Sequence, residues 1–244
     1  MLFRSLQTNS GVVASVVRVT SATASGFYRA GQTVDVTVEF DGAVTVSGVP
    51  TVTLNTLPVR RATYTSGTGT NALRFSYVIQ PGDASSSLDY ASELALSLSG
   101  GAILDESGKA ANLGLPTTGS AFSLAGSKAI GIDTVAPEVT ITSDRQVLAA
   151  ADVALLRFVT SEGVVGFGVE DVGVENGVLS GFVGSGREYQ AVYTPVAGVS
   201  GFGRVWVEAN RFTDVAGNGN VAGELRLAGE LRHAWSAAGG GAGR

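Results

Sequence analysis

Apolar and polar residues alternate with a period of two along most of this chain. Val34, Val36, Val38 and Phe40 alternate with Thr33, Asp35, Thr37 and Glu39. That spacing turns one face of a strand to a core and the other to water. Leu73, Phe75, Tyr77 and Ile79 repeat the pattern, with Arg74 and Ser76 on the wet face. Val17 and Val19, Val52 and Leu54, and Leu94, Leu96 and Leu98 predict shorter strands. Turn residues separate these runs at Ser66-Gly67-Thr68-Gly69, Pro81-Gly82-Asp83 and Ser99-Gly100-Gly101.

A seam at Asp133-Thr134-Val135-Ala136-Pro137 divides the chain. The alternating run Ala129-Ile130-Gly131-Ile132 enters it, and Glu138-Val139-Thr140-Ile141-Thr142 leaves it. Pro137 has a fixed φ and no amide hydrogen, so it suits the start of a strand. One strand ends there and another begins. This predicts one domain over residues 14–133 and a second over 134–228, joined with almost no linker, then a flexible Gly/Ala-rich tail over 229–244.

The second half follows the same plan. Val139 and Ile141, then Ala154, Leu156 and Phe158, predict its first strands. Val172 and Val174 lead to Glu175-Asn176-Gly177 and Leu179, which predicts a hairpin. Tyr189, Ala191 and Tyr193, then Val205, Val207 and Ala209, continue the pattern, and Leu225 and Leu227 can close it. Phe167, Phe182, Tyr189 and Phe212 are the expected bulk of the second core. No segment sustains a helical period, so the fold class is all-β, of sandwich type.

Two phrases recur in the two halves. Val38-Glu39-Phe40-Asp41-Gly42-Ala43-Val44 resembles Phe158-Val159-Thr160-Ser161-Glu162-Gly163-Val164, and Asp105-Glu106-Ser107-Gly108-Lys109 resembles Asp214-Val215-Ala216-Gly217-Asn218. One lies early and one late in each half, as in a tandem repeat of related domains.

Composition narrows the function. The 244 residues carry a net charge of −5, and only 15 % are charged, against roughly a quarter in a typical domain. Thr, Ser and Gly must therefore supply the wet surface. An acidic chain whose one adjacent basic pair is Arg60-Arg61 does not predict nucleic-acid binding. The absence of cysteine excludes disulfides and thiolate metal sites. No apolar run is long enough to span a membrane. The opening residues are too short for a secretory apolar region, so export by another signal, or a longer parent chain, is expected.

These phrases resemble the bacterial Ig-like domains that occur in tandem in large secreted and cell-surface proteins. The family's opening Asp-Thr-x-x-Pro is matched by Asp133 to Pro137, and its late Asp-x-Ala-Gly-Asn loop by Asp214 to Asn218. Thr160 to Val164 match its early Phe-Ser-Glu-x-Val loosely. In the first half, Ala30-Gly31-Gln32-Thr33-Val34, Ala62 to Gly67 and Leu88-Asp89-Tyr90 are also similar to family phrases. Gly42 and Lys109 depart from it, standing where the family has Glu and Asn. The resemblance covers residues 14 to 228. It implies two tandem Ig-like β-sandwiches stacked end to end in an exported, adhesin-like protein at the cell surface, with neighbouring Ig-like domains as partners.

Calcium is the candidate cofactor. It takes six to eight oxygens, which sandwich-end loops can supply. The candidate ligands are Asp105, Asp133, Asp144, Glu162, Asp214 and Asn218. The competing reading is that Asp-x-x-Gly is only a turn, with Asp capping its own backbone and Gly at positive φ. Trp206, which alternates outward between Val205 and Val207, is the candidate ligand-binding residue for a glycan or a cell-surface protein. No enzyme is predicted: the lone histidine, His233, falls in the tail, and a catalytic base must be held against its nucleophile. The leading reading is a spacer module stiffened by calcium. The alternatives are a glycan- or protein-binding module, or an accessory domain of a polysaccharide-degrading enzyme.

Overall fold

The computed structural model describes residues 13–149, 152–197 and 202–229. The chain divides into two compact units, Met1–Thr134 and Val135–Arg244, parting inside the predicted seam. The tail beyond residue 229, with His233, lies outside the described residues.

In the first unit the strands are β1 (Val16–Thr20), β2 (Gly26–Tyr28), β3 (Thr33–Ser47), β4 (Thr51–Thr53), β5 (Arg61–Ser66), β6 (Thr70–Val78), β7 (Leu96–Ser97), β8 (Ala102–Asp105) and β9 (Ile130–Ile132). Their hydrogen bonding runs in the order β1-β3-β6-β5-β4-β7, β8 pairs the far end of β3, and β2 pairs β9 in parallel. Val34, Val36, Val38 and Phe40 all point into one core with Leu73, Phe75 and Tyr77. Two sequence expectations change. A bulge between Val16 and Arg18 turns Val17 outward to 47 % exposure, although Val19 is buried. The run Leu94–Leu98 shortens to Leu96–Ser97, because the chain turns at Ser92, where Ala95 N–H bonds the Ser92 carbonyl.

The second unit contains β10 (Val139–Ser143), β11 (Val147–Leu148), β12 (Ala154–Thr160), β13 (Val164–Val165), β14 (Val172–Glu175), β15 (Gly177–Ser185), β16 (Glu188–Pro195), β17 (Gly203–Val207), β18 (Thr213–Asp214) and β19 (Gly223–Gly229). One sheet has the order β10-β12-β16-β15, the other β11-β19-β17-β14, and β13 pairs β18. Both sheets feed one core, Ile141, Phe158 and Tyr193 from the first and Val205, Val207 and Leu227 from the second. This is the two-sheet arrangement of an Ig-like sandwich. Phe158 sits at the centre, edge-on to Phe167 at 5.9 Å and tilted against Phe182 at 5.7 Å.

The predicted hairpin at Asn176-Gly177 does not form. β14 pairs β17 and β15 pairs β16, so the turn carries the chain from one sheet to the other. Asn176 takes a left-handed φ of 60°. Its side-chain amide donates to the Phe202 carbonyl at 2.8 Å, and its own carbonyl accepts the Tyr193 hydroxyl at 2.9 Å. These bonds hold the crossing open.

The two units repeat each other bond for bond at one end. Val16 faces Phe40 as Val139 faces Thr160. Ser15 N–H donates to Asp41 Oδ1 at 2.8 Å as Glu138 N–H donates to Ser161 Oγ at 3.0 Å. Asn112 N–H bonds the Ala14 carbonyl as Val221 N–H bonds that of Pro137. Val44 lies opposite Asp105 as Val164 lies opposite Asp214.

Phe158→Ala removes a fully buried ring from the centre of the second core. It should cost about 3–5 kcal/mol and lower the denaturant midpoint followed by Trp206 fluorescence. Val159→Ala, on the outer face at 40 % exposure, should change that midpoint by no more than about 0.5 kcal/mol.

Candidate functional site

The repeated end of the second unit gathers charge. Asp214 closes β18, and its side chain organises the loop that follows. Oδ1 accepts Asn218 N–H at 2.8 Å and Oδ2 accepts the Asn218 amide at 2.8 Å. Gly217, with φ of 90°, makes the left-handed bend this loop requires. Glu162 follows β12, and the buried Thr160 hydroxyl donates to the Glu162 carbonyl at 2.6 Å. Thr160 thus ties the start of the Glu162 loop to the sandwich. Asp133 stands in the seam that enters the unit, with its N–H bonded to the Tyr28 carbonyl at 3.0 Å.

One carboxylate oxygen of Glu162 lies within 4.8 Å of one of Asp214. Asp214 is 2 % exposed and Glu162 is half-buried. Like charges held this closely repel, and a hard divalent cation among them would offset the repulsion. The spacing fits such an ion: two oxygens bound to one calcium at about 2.4 Å each cannot lie farther apart than about 4.8 Å. The donors are all oxygen, as calcium prefers.

The remaining candidates lie elsewhere. Asn218 braces Asp214. Asp144 sits at the other end of β10, where its Oδ1 accepts Leu155 N–H at 2.8 Å. Asp105 forms in the first unit the same turn that Asp214 forms in the second. Its Oδ1 accepts Ser107 N–H, the Ser107 hydroxyl and Lys109 N–H at 2.8, 2.6 and 2.9 Å, and Gly108 takes φ of 78°. The Ser107 hydroxyl, followed by the Lys109 N–H, holds the Asp105 carboxyl below its ordinary value. The Glu162 carboxylate beside Asp214 has no such counterpart here. Gly42 stands in the place of Glu162, and counting back from Val16 as Asp133 stands to Val139 reaches Ser10.

Trp206 lies across Gly173 on β14. A Cβ on Gly173 would meet the indole at 2.2 Å, so only glycine admits the ring. Arg204 stacks on the indole, its guanidinium carbon 4.5 Å from the ring centroid. Arg204 also reaches Glu224 at 2.8 Å, and Glu224 meets Arg226 at 2.6 Å. Trp206 is half-buried. The hydrogen bond from Arg204, then that from Arg226, pulls the Glu224 carboxyl down to about 2.

Residues 133–228 match the family of bacterial Ig-like domains, a span that contains Asp133, Glu162 and Asp214. Solved structures that the chain matches include the adhesin InvE of Yersinia pseudotuberculosis, at 10 % identity and a TM-score of 0.29, covering 86 % of this chain and 57 % of that one. Another is the Ig1–Ig3 ectodomain of mouse nectin-like molecule 4, at 9 % identity and a TM-score of 0.32, covering 89 % and 65 %. The chain spans less than two thirds of either length. No curated protein matches it significantly. Among the described residues, no helix is long and apolar enough to cross a membrane.

The Glu224 carboxyl is depressed from 4.5 to about 2, so its contribution to stability is present above pH 4.5 and is lost as the pH falls towards 2. The wild-type melting temperature should drop across that window more steeply than that of Glu224→Gln, and equal slopes would disprove the linkage.

Proposed function

We propose that the chain, whose residues 133–228 match the bacterial Ig-like domain family, is a structural module of an exported bacterial surface protein. It acts as a spacer beside further Ig-like domains, and its second domain takes up calcium at Glu162 and Asp214. This reading assigns the chain no catalytic role and an extracellular location.

One observation carries the calcium assignment. The turn itself requires only an Asp and a Gly, because Asp105 and Gly108 build it in the first unit with Gly42 in place of a second carboxylate. In the second unit a further carboxylate, that of Glu162, comes within 4.8 Å of Asp214 at the same turn. The turn does not need that carboxylate, and a calcium ion would use both. An ion there would join the Glu162 loop to the Asp214 loop, which suits a spacer.

The test is a thermal melt of the chelator-stripped protein with millimolar Ca²⁺, using Mg²⁺ as the control. At about 100 times its dissociation constant, calcium should add about 2.7 kcal/mol to the second domain. Glu162→Gln should abolish the rise, and Asp105→Asn should leave its size unchanged. No rise with calcium, or an equal one with Glu162→Gln, overturns the assignment.

A further inference from the structure

The outer face of β5 and β6 in the first unit forms an open groove of about 430 Å³. Arg60, Arg61, Thr63, Thr65, Ser76 and Gln80 line it. Thr63 and Ser76 face each other across the strand pair, so their hydroxyls form the centre of its floor. Arg74 continues the same face of β6, opposite Ser66, beyond Thr65. Arg61 and Arg74 therefore mark the two ends of a hydroxyl-lined track. From Arg61 to Thr65 it runs about 13 Å at the rise of an extended strand.

The cationic groups of this groove are available. Arg61 and Arg74 make no ion pair among the described residues. Arg60 is held in place from behind. Its Nε donates at 2.7 Å to Oδ1 of the fully buried Asp83. Oδ2 of Asp83 accepts the Tyr77 hydroxyl and Gln80 N–H. Only Nε is used in this way, so the two terminal amino groups of Arg60 keep their donors. An arginine fixed at Nε with free ends is prepared for an anionic oxygen pair. Asp35, opposite Ser76 on β3, bounds the cationic area on one side.

We propose that this groove binds an acidic oligosaccharide, with Arg60, Arg61 and Arg74 taking its anionic groups and Thr63, Thr65, Ser76 and Gln80 its hydroxyls. The net charge of −5 makes a local group of three arginines a selective feature rather than a general one. Nucleic acid fits less well. Single strands need aromatic platforms, and the one ring at this groove, Tyr77, is 3 % exposed with its hydroxyl committed to Asp83. The proposal is independent of the carboxylate cluster.

The test is calorimetric titration of the full chain at low ionic strength in EDTA, which keeps calcium out of the measurement. Tetragalacturonate and a chondroitin sulfate tetrasaccharide distinguish carboxylate from sulfate as the anionic group. Maltotetraose is the neutral control. At least one acidic probe should bind at least tenfold more tightly than maltotetraose. Arg61→Ala combined with Arg74→Ala should weaken it tenfold or more without changing the melting temperature. Thr63→Val, which keeps every charge, should weaken it to a smaller degree. Binding of neither acidic probe overturns the proposal. So does equal binding by the double variant, or equally tight binding of an oligothymidylate of the same charge.

Discussion

Each unit is held by the burial of alternate side chains, and the chain has no cysteine with which to cross-link one strand to another. Phe158, Tyr193 and Val205 must therefore meet in one core for the second unit to exist, and Val36, Phe40 and Phe75 must do so in the first. Because that burial is proportional to apolar area and has no directional preference, it specifies which face of a strand turns inward. It leaves the outer faces and the loops at the sandwich ends under weaker constraint. Those are among the places where the two units differ, as their sheet orders also do.

The end loops illustrate this division. At this end the two units share the pairing of Val44 with Asp105 and of Val164 with Asp214, and an Asp-x-x-Gly turn with the same backbone hydrogen bonds. Asp105 and Asp214 serve the turn, and each is used by its own loop. Glu162 has no carboxylate counterpart in the first unit, where Gly42 stands in its place and the Asp105 turn still forms. The role of each carboxylate can be separated because the frame occurs twice in one chain.

The inward faces were legible in the sequence because a strand has only two of them, and an apolar residue at every second position names the buried one. Strand partners were less legible. Asn176-Gly177 has the composition of a hairpin, but its partner is chosen by Tyr193 and Phe202, residues distant in sequence that bond Asn176 and direct the chain across the core. The bulge that turns Val17 outward leaves no mark in the alternation. Among the acidic residues, the turn chemistry singled out a set of candidates. Which of them meet depends on the pairing of Val164 with Asp214, whereas Asp144 is carried to the far end of β10. Trp206 read as exposed because its neighbours Val205 and Val207 point inward. Its actual partner, Gly173, has no side chain and so gave no sign of complementing an indole.

The β5–β6 face takes the same logic one step further. Arg61 and Arg74 belong to one surface only through the register that sets Thr63 against Ser76 and Ser66 against Arg74. In the sequence they are separate charges in an acidic chain. Arg60 differs from both, because a buried carboxylate is expensive unless it is paired and hydrogen-bonded. Burial pushes the Asp83 carboxyl up, and the hydrogen bonds from Tyr77, Gln80 and Arg60 bring it below its ordinary value. Asp83 therefore stays charged, and that charge holds Arg60 at the edge of the groove. An interaction required by the core thus orients a group on the surface, and the outer face inherits order from the inner one.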